Sequence, residues 1–382
     1  MEAKKRPLEC ISAIKQICPP AFKPLSHEKN SMAQVSPDEG KCNKCPKDAK
    51  ITLPYGPHKY CAEHFSEFFQ SRVRKTIRMN RLVKYGEKIA VGVSGGKDSM
   101  VTLHLLSSIF GKSAMNKIEA IMVDEGIEGY RQKAIDIAAN YCRANAIPFH
   151  IVKVKDAFGT SMDGVMAKSS KKEAGSACSF CGVFRRQLLN SKALEIKADK
   201  LATGHNLDDE CQSIAMSLFG NDLARLSRLG EIAGGRKAKG FVPRIKPLYE
   251  IPEKEIIAYA LFNGIGFYGD ECCPYSWMAK RNQYRKALNG LEDSMPGTKF
   301  SILASFRSLK PLLAKAKAKP IEECSLCGSP SNSSICATCR QLGKIAKLQG
   351  NDSAKQTIDE IPKGALGCAV SKGVKQPLLP KG

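Results

Sequence analysis

The sequence has no long apolar stretch. No run in its 382 residues approaches the ~18 apolar residues that a membrane helix needs. The N-terminal segment MEAKKRPLECISAIKQICPP lacks the apolar core of a signal peptide. These two absences argue against a membrane partner and predict a cytoplasmic protein.

Acidic residues are also scarce relative to basic ones. Asp and Glu number 37 against 60 Lys and Arg, which gives a formal net charge of +23. An excess of this size favours a polyanionic partner such as nucleic acid. The alternative is a generally basic surface with a basic tail, which requires no partner.

Cysteine is abundant, with 16 in the chain. A reducing compartment does not keep structural disulfides, so metal or redox chemistry is expected. Two quartets have the paired spacing of tetrahedral zinc ligands and leave no position open for chemistry. They predict two structural Zn²⁺ sites, one on Cys42, Cys45, Cys61 and His64, the other on Cys324, Cys327, Cys336 and Cys339.

The stretch VGVSGGKDS at residues 91–99 lies between a predicted strand (88–93) and a predicted helix (100–110). A strand-to-helix turn points backbone N–H groups at one spot, and glycines allow close approach, so the turn favours a phosphate. It is not a Walker loop, because the four-residue gap before Gly-Lys-Ser/Thr is missing.

A further cysteine pair, Cys178 and Cys181, has no second pair nearby. Its candidate completion is ECCPYS, where Cys272 or Cys273 precedes a proline turn. Three thiolates can hold an iron–sulfur cluster with one iron unprotected, and two can act as a redox pair. The alternative is that Cys178 and Cys181 are small buried apolar residues.

Apolar strands alternate with amphipathic helices from residue 88 to about residue 265. This alternation predicts an α/β fold with a doubly wound parallel sheet, in which SGGKDS, VDEG and TGHNLDD face one crevice at the carboxyl ends of the strands. The predicted segments are a flexible extension (1–40), a zinc module (41–75), a catalytic domain (76–315), a second zinc module (316–349) and a flexible tail (350–382).

SGGKDS resembles the pyrophosphate-binding loop of the ATP-pyrophosphatase (PP-loop) superfamily. VDEGIEGYR, CSFCGVFRR, TGHNLDD and ECCPYS, in this order between two zinc quartets, are similar to the tRNA 2-thiouridine synthetases of archaea, some bacteria and the eukaryotic cytoplasm. The resemblance implies an adenine nucleotide alpha hydrolase-like fold. It also implies a tRNA sulfurtransferase that adenylates the C2 oxygen of a uridine and replaces it with sulfur, using ATP and Mg²⁺.

The resemblance also assigns residues. Lys97 would neutralise phosphate charge, Asp98 would help to place Mg²⁺, and Met122 or Val123 would line the adenine. Gly204 and Asp209 would face the nucleotide and the uridine, with Asp208 as the second choice of acid. The loop residues that would hold the phosphates are Gly92, Val93, Ser94, Gly95, Gly96, Lys97, Asp98 and Ser99.

In this family the paired cysteines and a later cysteine hold a [4Fe–4S] cluster, which here implies Cys178, Cys181 and Cys273, with Cys272 as the competitor. One departure concerns Arg185, because related bacterial enzymes have a lysine there. Arginine does not readily lose its proton to act as a base, but it can bind RNA phosphate or a developing oxyanion. The family further implies tRNA and a ubiquitin-like sulfur carrier or a sulfide donor as partners, and homodimers are common in it.

Three alternatives stay open. The same fold could transfer an amine in place of sulfur, as in lysidine- or amide-forming relatives. Thiolation could proceed without a cluster through a persulfide on Cys178 or Cys181. A zinc-knuckle protein that only binds RNA would leave SGGKDS without a purpose. RNA contacts are predicted, with core packing as the alternative for the aromatic members, at Phe65, Phe68, Phe69, Arg72, Arg74, Lys75 and Arg78.

Overall fold

The computed structural model describes residues 40–111, 116–167, 177–233, 240–269, 273–276, 279–313 and 321–348. The helices are α1 (Ala62–Met79), α2 (Lys97–Phe110), α3 (Arg131–Ala144), α4 (Val154–Phe158), α5 (Met162–Ala167), α6 (Ala177–Glu195), α7 (Leu207–Phe219), α8 (Leu223–Leu226), α9 (Glu253–Phe262), α10 (Arg281–Ser294), α11 (Thr298–Leu313) and α12 (Ala337–Leu348). The strands are β1 (Ile51–Leu53), β2 (His58–Tyr60), β3 (Lys88–Gly92), β4 (Lys117–Asp124), β5 (Phe149–Lys153), β6 (Lys200–Thr203), β7 (Ile232–Ala233), β8 (Arg244–Ile245), β9 (Glu322–Glu323) and β10 (Pro330–Ser331). Within these ranges, no helix combines the length and the apolar character required to cross a bilayer.

A six-stranded sheet forms the centre of the fold, in the order β5-β4-β3-β6-β8-β7. Its strands run parallel except for the short β7, which pairs antiparallel with β8. Central β3 and β4 are largely buried, as expected for apolar strands covered by helices on both faces. The predicted doubly wound parallel sheet is therefore confirmed. The strand order reverses direction at β3 and β6, where such sheets bind ligands.

Local signals placed two helices at this crevice. Helix α7 begins after Asn206, whose side chain accepts a hydrogen bond from the backbone N–H of Asp209, while the Asp209 side chain accepts from the backbone N–H of Asn206, which forms a capping box. Helix α2 begins at Lys97, three residues before the predicted start. The end of the SGGKDS loop is therefore the first turn of the helix, so the N-terminus of the helix points at the loop.

The two cysteine quartets lie in small modules that pack on the central domain. The N-terminal module pairs β1 with β2 and continues into α1, whose Phe65, Phe69 and Val73 join the same core as the sheet. The predicted boundary at residue 75 falls inside this helix. In the C-terminal module β9 pairs with β10, and α12 packs against α6. The predicted extension and tail lie outside the described residues, apart from residue 40.

Candidate nucleotide and metal-cluster site

The loop after β3 is held in shape by its own hydroxyl groups. The backbone N–H of Ser94 donates to Ser99 Oγ at 3.0 Å, and Ser99 Oγ donates to the carbonyl of Gly96 at 2.9 Å. The N–H of Gly96 lies 3.4 Å from Ser94 Oγ. These bonds curl the backbone around the start of α2, which is the geometry that cradles a phosphate.

Two glycines, one in this loop and one beside it, have no room for a side chain. Gly95 has φ +81°, and a Cβ there would lie 2.3 Å from the carbonyl oxygen of Ala134. Gly204, after β6, would place a Cβ 2.7 Å from the backbone carbon of Asp98 and 2.8 Å from the nitrogen of Ser99. Gly204 therefore lets the end of β6 touch the loop after β3, which brings the two predicted motifs together.

Charged groups converge on the first turn of α2. Lys97 Nζ lies 2.6 Å from Glu253 and 3.5 Å from the Asp98 carboxylate. The other Asp98 oxygen accepts a hydrogen bond from Asn206 at 3.0 Å. Burial, with the charges of Asp209 and Glu253, raises the pKa of Asp98 to about 6, against the opposing effect of Lys97. A crowded carboxylate of this kind is suited to a divalent cation, which would relieve the repulsion.

Neighbouring Asp208 and Asp209 have separate environments. Asp208 is 5% exposed, and its carboxylate accepts from the backbone N–H of Glu253 at 2.8 Å and from the Lys299 ammonium group. Asp209 is partly exposed at the crevice and pairs with Arg281 at 2.9 Å. The structure therefore gives Asp208 a role in packing α7 against α9 and α11, and leaves Asp209 facing the site.

Sequence reasoning missed a buried carboxylate, Glu125, in the VDEG loop. It is 3% exposed, lies 2.7 Å from Arg131 Nε, and its other oxygen is 3.8 Å from Arg185 Nε. Arg131 also donates to the carbonyl of Ser94 at 2.8 Å and to that of Val123. An acid directly after a buried strand was the available signal, but the residues that pair with it, Arg131 and Arg185, lie on two different helices, α3 and α6.

The three predicted cluster thiols lie around Arg185. Cys178 is exposed, Cys181 and Cys273 are half-buried, and Cys272 lies outside the described residues. Burial raises the pKa of Cys181 to about 11, aided by Glu125 and the two other thiols and opposed by Arg185. Burial, together with Cys178 and Glu125, also raises the pKa of Cys273. Cys181 and Cys273 pack against the same hydrophobic cluster, and Arg185 lies one turn after Cys181 on α6.

The thiol trio and the phosphate loop open onto the same crevice. The backbone N–H of Tyr268 donates to the carbonyl of Gly95 at 2.8 Å, a short way along the chain from Cys273. The Tyr268 ring contacts Tyr130 edge-on at 5.6 Å. Tyr130 in turn is close enough to Cys273 and Arg185 for their charges to affect its pKa, which burial raises. A chain of contacts also runs from the carbonyl of Ser94 through Arg131 and Glu125 to Arg185, so the phosphate loop is linked to α6, the helix that carries Cys178 and Cys181.

The ligand atoms of the two cysteine quartets have the spacing that a tetrahedral zinc ion requires. A tetrahedral zinc with Zn–S bonds of about 2.3 Å separates its sulfurs by about 3.8 Å. The sulfurs of Cys45 and Cys61 are 3.8 Å apart, those of Cys324 and Cys339 are 3.9 Å apart, and Cys42 Sγ is 3.4 Å from His64 Nδ1. In each quartet the four ligand atoms lie within 4.8 Å of one another, as the binding of a single ion requires.

The described thiols Cys178, Cys181 and Cys273 do not form such a close group. Three cysteine thiolates are the ligand set of an iron–sulfur cluster in which one iron has no protein ligand. Three soft ligands with an arginine beside them also match a negatively charged cluster.

Other predicted residues lie in the core. Met122 and Val123 are 0% and 2% exposed, so the predicted adenine contact concerns their backbone and stays a prediction. Phe65 and Phe69 are fully buried, which favours the core-packing alternative for them. Arg72 pairs with the buried Glu255 at 2.6 Å and is therefore not free for RNA.

Comparison with known proteins agrees with this geometry. The model of the PP-loop domain family matches residues 65–292. A tRNA 2-thiolation protein, NcsA, of Haloferax volcanii is 36% identical over 80% of this chain and 98% of its own length. A tRNA-5-methyluridine(54) 2-sulfurtransferase of Pyrococcus horikoshii is 36% identical over 85% of this chain and 99% of its own. The chain belongs to the tRNA 2-thiolation family of PP-loop proteins.

A solved structure of the family is similar throughout. The U34-tRNA thiolase NcsA from Methanococcus maripaludis, with its [4Fe–4S] cluster, is 36% identical, with a TM-score of 0.68 over 82% of this chain and 96% of its own. The predicted family is therefore confirmed, and the predicted sulfurtransferase class is the one that these relatives are named for. The roles of individual site residues stay predictions.

Proposed function

We propose that this protein is an ATP-dependent tRNA-uridine 2-sulfurtransferase whose three thiols, Cys178, Cys181 and Cys273, hold an iron–sulfur cluster. The observation that carries the proposal is a chain of contacts from the phosphate loop to α6, the helix of Cys178 and Cys181. Arg131 donates to the carbonyl of Ser94 and pairs with Glu125, whose other oxygen lies 3.8 Å from Arg185. An enzyme that activates a nucleobase with ATP and then adds sulfur needs both groups within reach of one uridine.

The chemistry follows from the groups at the crevice. The uridine C2 oxygen attacks the α-phosphorus of ATP, pyrophosphate leaves, and the adenylated carbon then accepts sulfur while AMP departs. Lys97 stabilises the charge of the departing pyrophosphate, and Asp98 would hold a magnesium ion that would add to this stabilisation when bound. Cys178, Cys181 and Cys273 would hold a cluster, which would supply an iron without a protein ligand for the incoming sulfide.

Asp209 and Arg185 complete the site. The Asp209 carboxylate is partly exposed at the crevice, where it can accept the uridine N3 proton or bind a second magnesium ion. Arg185 stays protonated under all working conditions, so it acts through charge, stabilising the thiolates or an oxyanion at C2.

The test is anaerobic purification of the full chain, followed by metal counting, visible absorbance and an in vitro reaction. We expect two zincs and four irons per chain, and formation of 2-thiouridine in an unmodified tRNA transcript with ATP, Mg²⁺ and sulfide. A ubiquitin-like carrier with a C-terminal thiocarboxylate is the second sulfur source to compare.

Each alternative gives a distinct result. Thiolation by iron-free protein with a persulfide on Cys178 or Cys181 would replace the cluster by a persulfide mechanism. Incorporation of an amine without sulfur would indicate a lysidine- or amide-forming enzyme. Binding of tRNA without consumption of ATP would leave only an RNA-binding protein.

A further inference from the structure

Three arginines lie outside the site described so far: Arg186 on α6, Arg225 on α8 and Arg244 at the start of β8. Together they are called here the arginine cluster, or the cluster for short. The Arg244 guanidinium donates to the backbone carbonyl of Arg186 at 3.3 Å. Among the described residues, no carboxylate forms an ion pair with any of the three. Other cations of the crevice do have partners, since Lys246 pairs with Glu210 at 2.6 Å.

This arrangement is electrostatically unfavourable in the free protein. Burial, together with the charge of Arg186, lowers the pKa of Arg244 to about 10. Burial likewise lowers the pKa of Arg186, with contributions from Arg185 and Arg225. The nearby Asp222 carboxylate accepts from the backbone N–H of Arg225 and not from its guanidinium group. Like charges held together on a folded surface, without carboxylates paired to them, are relieved by binding an anion.

The cluster adjoins the proposed reaction site through α6. Arg186 follows Arg185 directly, and it is near enough to Cys181 for the thiol to affect its pKa. The same helix contacts the C-terminal zinc module, because Gln187 Nε2 lies 3.3 Å from Ser329 Oγ and Gln341 Nε2 donates to Ser179 Oγ at 3.2 Å. The zinc module therefore stabilises α6, the helix that carries Cys178, Cys181 and Arg186.

We propose that Arg186, Arg225 and Arg244 bind backbone phosphates of the tRNA next to the uridine that enters the crevice. The inference rests on the proposed function, since that function makes a tRNA the substrate. Guanidinium groups match phosphate oxygens in pairs, and contacts of this kind position a nucleic acid without selecting its sequence. An enzyme acting on a base must take that base out of its stack, so the flanking phosphates need a fixed anchor.

RNA fits this surface better than an acidic protein does. The uridine must reach the space between Asp209 and the thiols, and the phosphates on either side of it are carried there with it. Arg186 follows Arg185 on α6, so a nucleotide whose uridine lies beside Arg185 brings its own phosphates toward the three arginines. An acidic protein has no comparable requirement to place charge there.

The experiment compares Arg186→Gln, Arg244→Gln and the triple Gln variant with Arg143→Gln, in the anaerobically purified full chain. Arg143 is an exposed arginine at the end of α3, at the opposite edge of the sheet. Arg143→Gln removes one positive charge, so it is the matched control for each single variant. Binding of an unmodified tRNA transcript is measured over a range of salt concentrations, and thiolation is measured with sulfide and with a ubiquitin-like thiocarboxylate carrier.

We expect each single variant of the cluster to weaken tRNA binding about 10-fold at low salt and to reduce the slope of log K against log salt by about 1. Arg143→Gln should bind as the wild type does. Equal binding by the cluster variants and the Arg143 control would overturn the proposal. Unchanged tRNA affinity with loss of carrier-dependent, but not sulfide-dependent, thiolation would overturn it too, and would assign the cluster to the carrier.

Failure of the proposed function gives a different pattern. Wild-type protein that forms no 2-thiouridine from any sulfur source would remove the thiolase assignment, whatever the arginine variants do. Wild-type protein that thiolates tRNA while the cluster variants match the Arg143 control would remove the phosphate site alone.

Discussion

The contrast between Asp208 and Asp209 makes the sharpest prediction. The Asp208–Lys299 pair has side-chain exposures of 6% and 8%, whereas the Asp209–Arg281 pair has 21% and 33%. Replacing either Asp208 or Asp209 by Asn removes one negative charge from nearly the same place in the chain. We expect Asp208→Asn to impair folding and Asp209→Asn to impair chemistry.

The magnitudes follow from burial. Breaking a buried ion pair leaves an uncompensated charge, here on Lys299, and lowers the free energy of unfolding by about 3–5 kcal/mol. This is a large share of the about 5–15 kcal/mol that holds a typical protein folded. The partly exposed Asp209 pair should contribute no more than about 1 kcal/mol. Loss of a positioned acid or base lowers a rate by about 10²- to 10⁴-fold.

The assays are thermal and denaturant unfolding, and single-turnover thiolation of a tRNA transcript. Asp208→Asn should melt roughly 10 °C lower and keep substantial activity at a temperature where it is folded. Asp209→Asn should melt close to the wild type and lose nearly all activity. A stable, inactive Asp208→Asn together with an active Asp209→Asn would refute the assignment of the two side chains.

Three further predictions concern the loop and the metals. Because burial raises the pKa of Asp98 to about 6, above its unfolded value, the carboxylate form that we propose as the Mg²⁺ ligand is scarce at pH 5 and dominant at pH 7. Affinity for Mg·ATP, followed by calorimetry, should rise about 10-fold over this range, and Asp98→Asn should lose that part of the rise. Gly204→Ala should weaken ATP binding at least about 10-fold, since its Cβ strikes the loop. The control Gly266→Ala has open space around the new Cβ and should leave ATP binding unchanged. Equal effects of the two substitutions would contradict this prediction. Cys324→Ser should leave one zinc per chain by metal analysis and lower the melting temperature; two retained zincs would disprove the assigned quartet.

Most of the site could be predicted from the sequence because its parts are local. SGGKDS and the Asn206 cap depend on neighbouring residues, and each zinc quartet is built from two close pairs. The missed contacts are long-range. Lys97 meets Glu253, 156 positions away, and Glu125 meets Arg185 on a different helix. Such partners are chosen by how the layers stack, which no local pattern records.

The separation of the two acids of α7 shows the same limit. Consecutive residues on a helix point about 100° apart, so the sequence predicts that Asp208 and Asp209 differ in direction. Which of them faces the crevice depends on where α9 and α11 pack, and the ammonium group of Lys299 settles it by burying Asp208.

By itself the sequence determined the alternation of strands and helices, the phosphate loop, the cysteine quartets and the family, because each depends on residue type and spacing along the chain. Only the tertiary structure decided that Arg131 links the carbonyl of Ser94 to Glu125 and so to Arg185, and that Arg244 meets Arg186 with no ion pair to a carboxylate of the described residues. These facts depend on side chains far apart in sequence that approach within a few ångströms only after the sheet and its covering helices have packed.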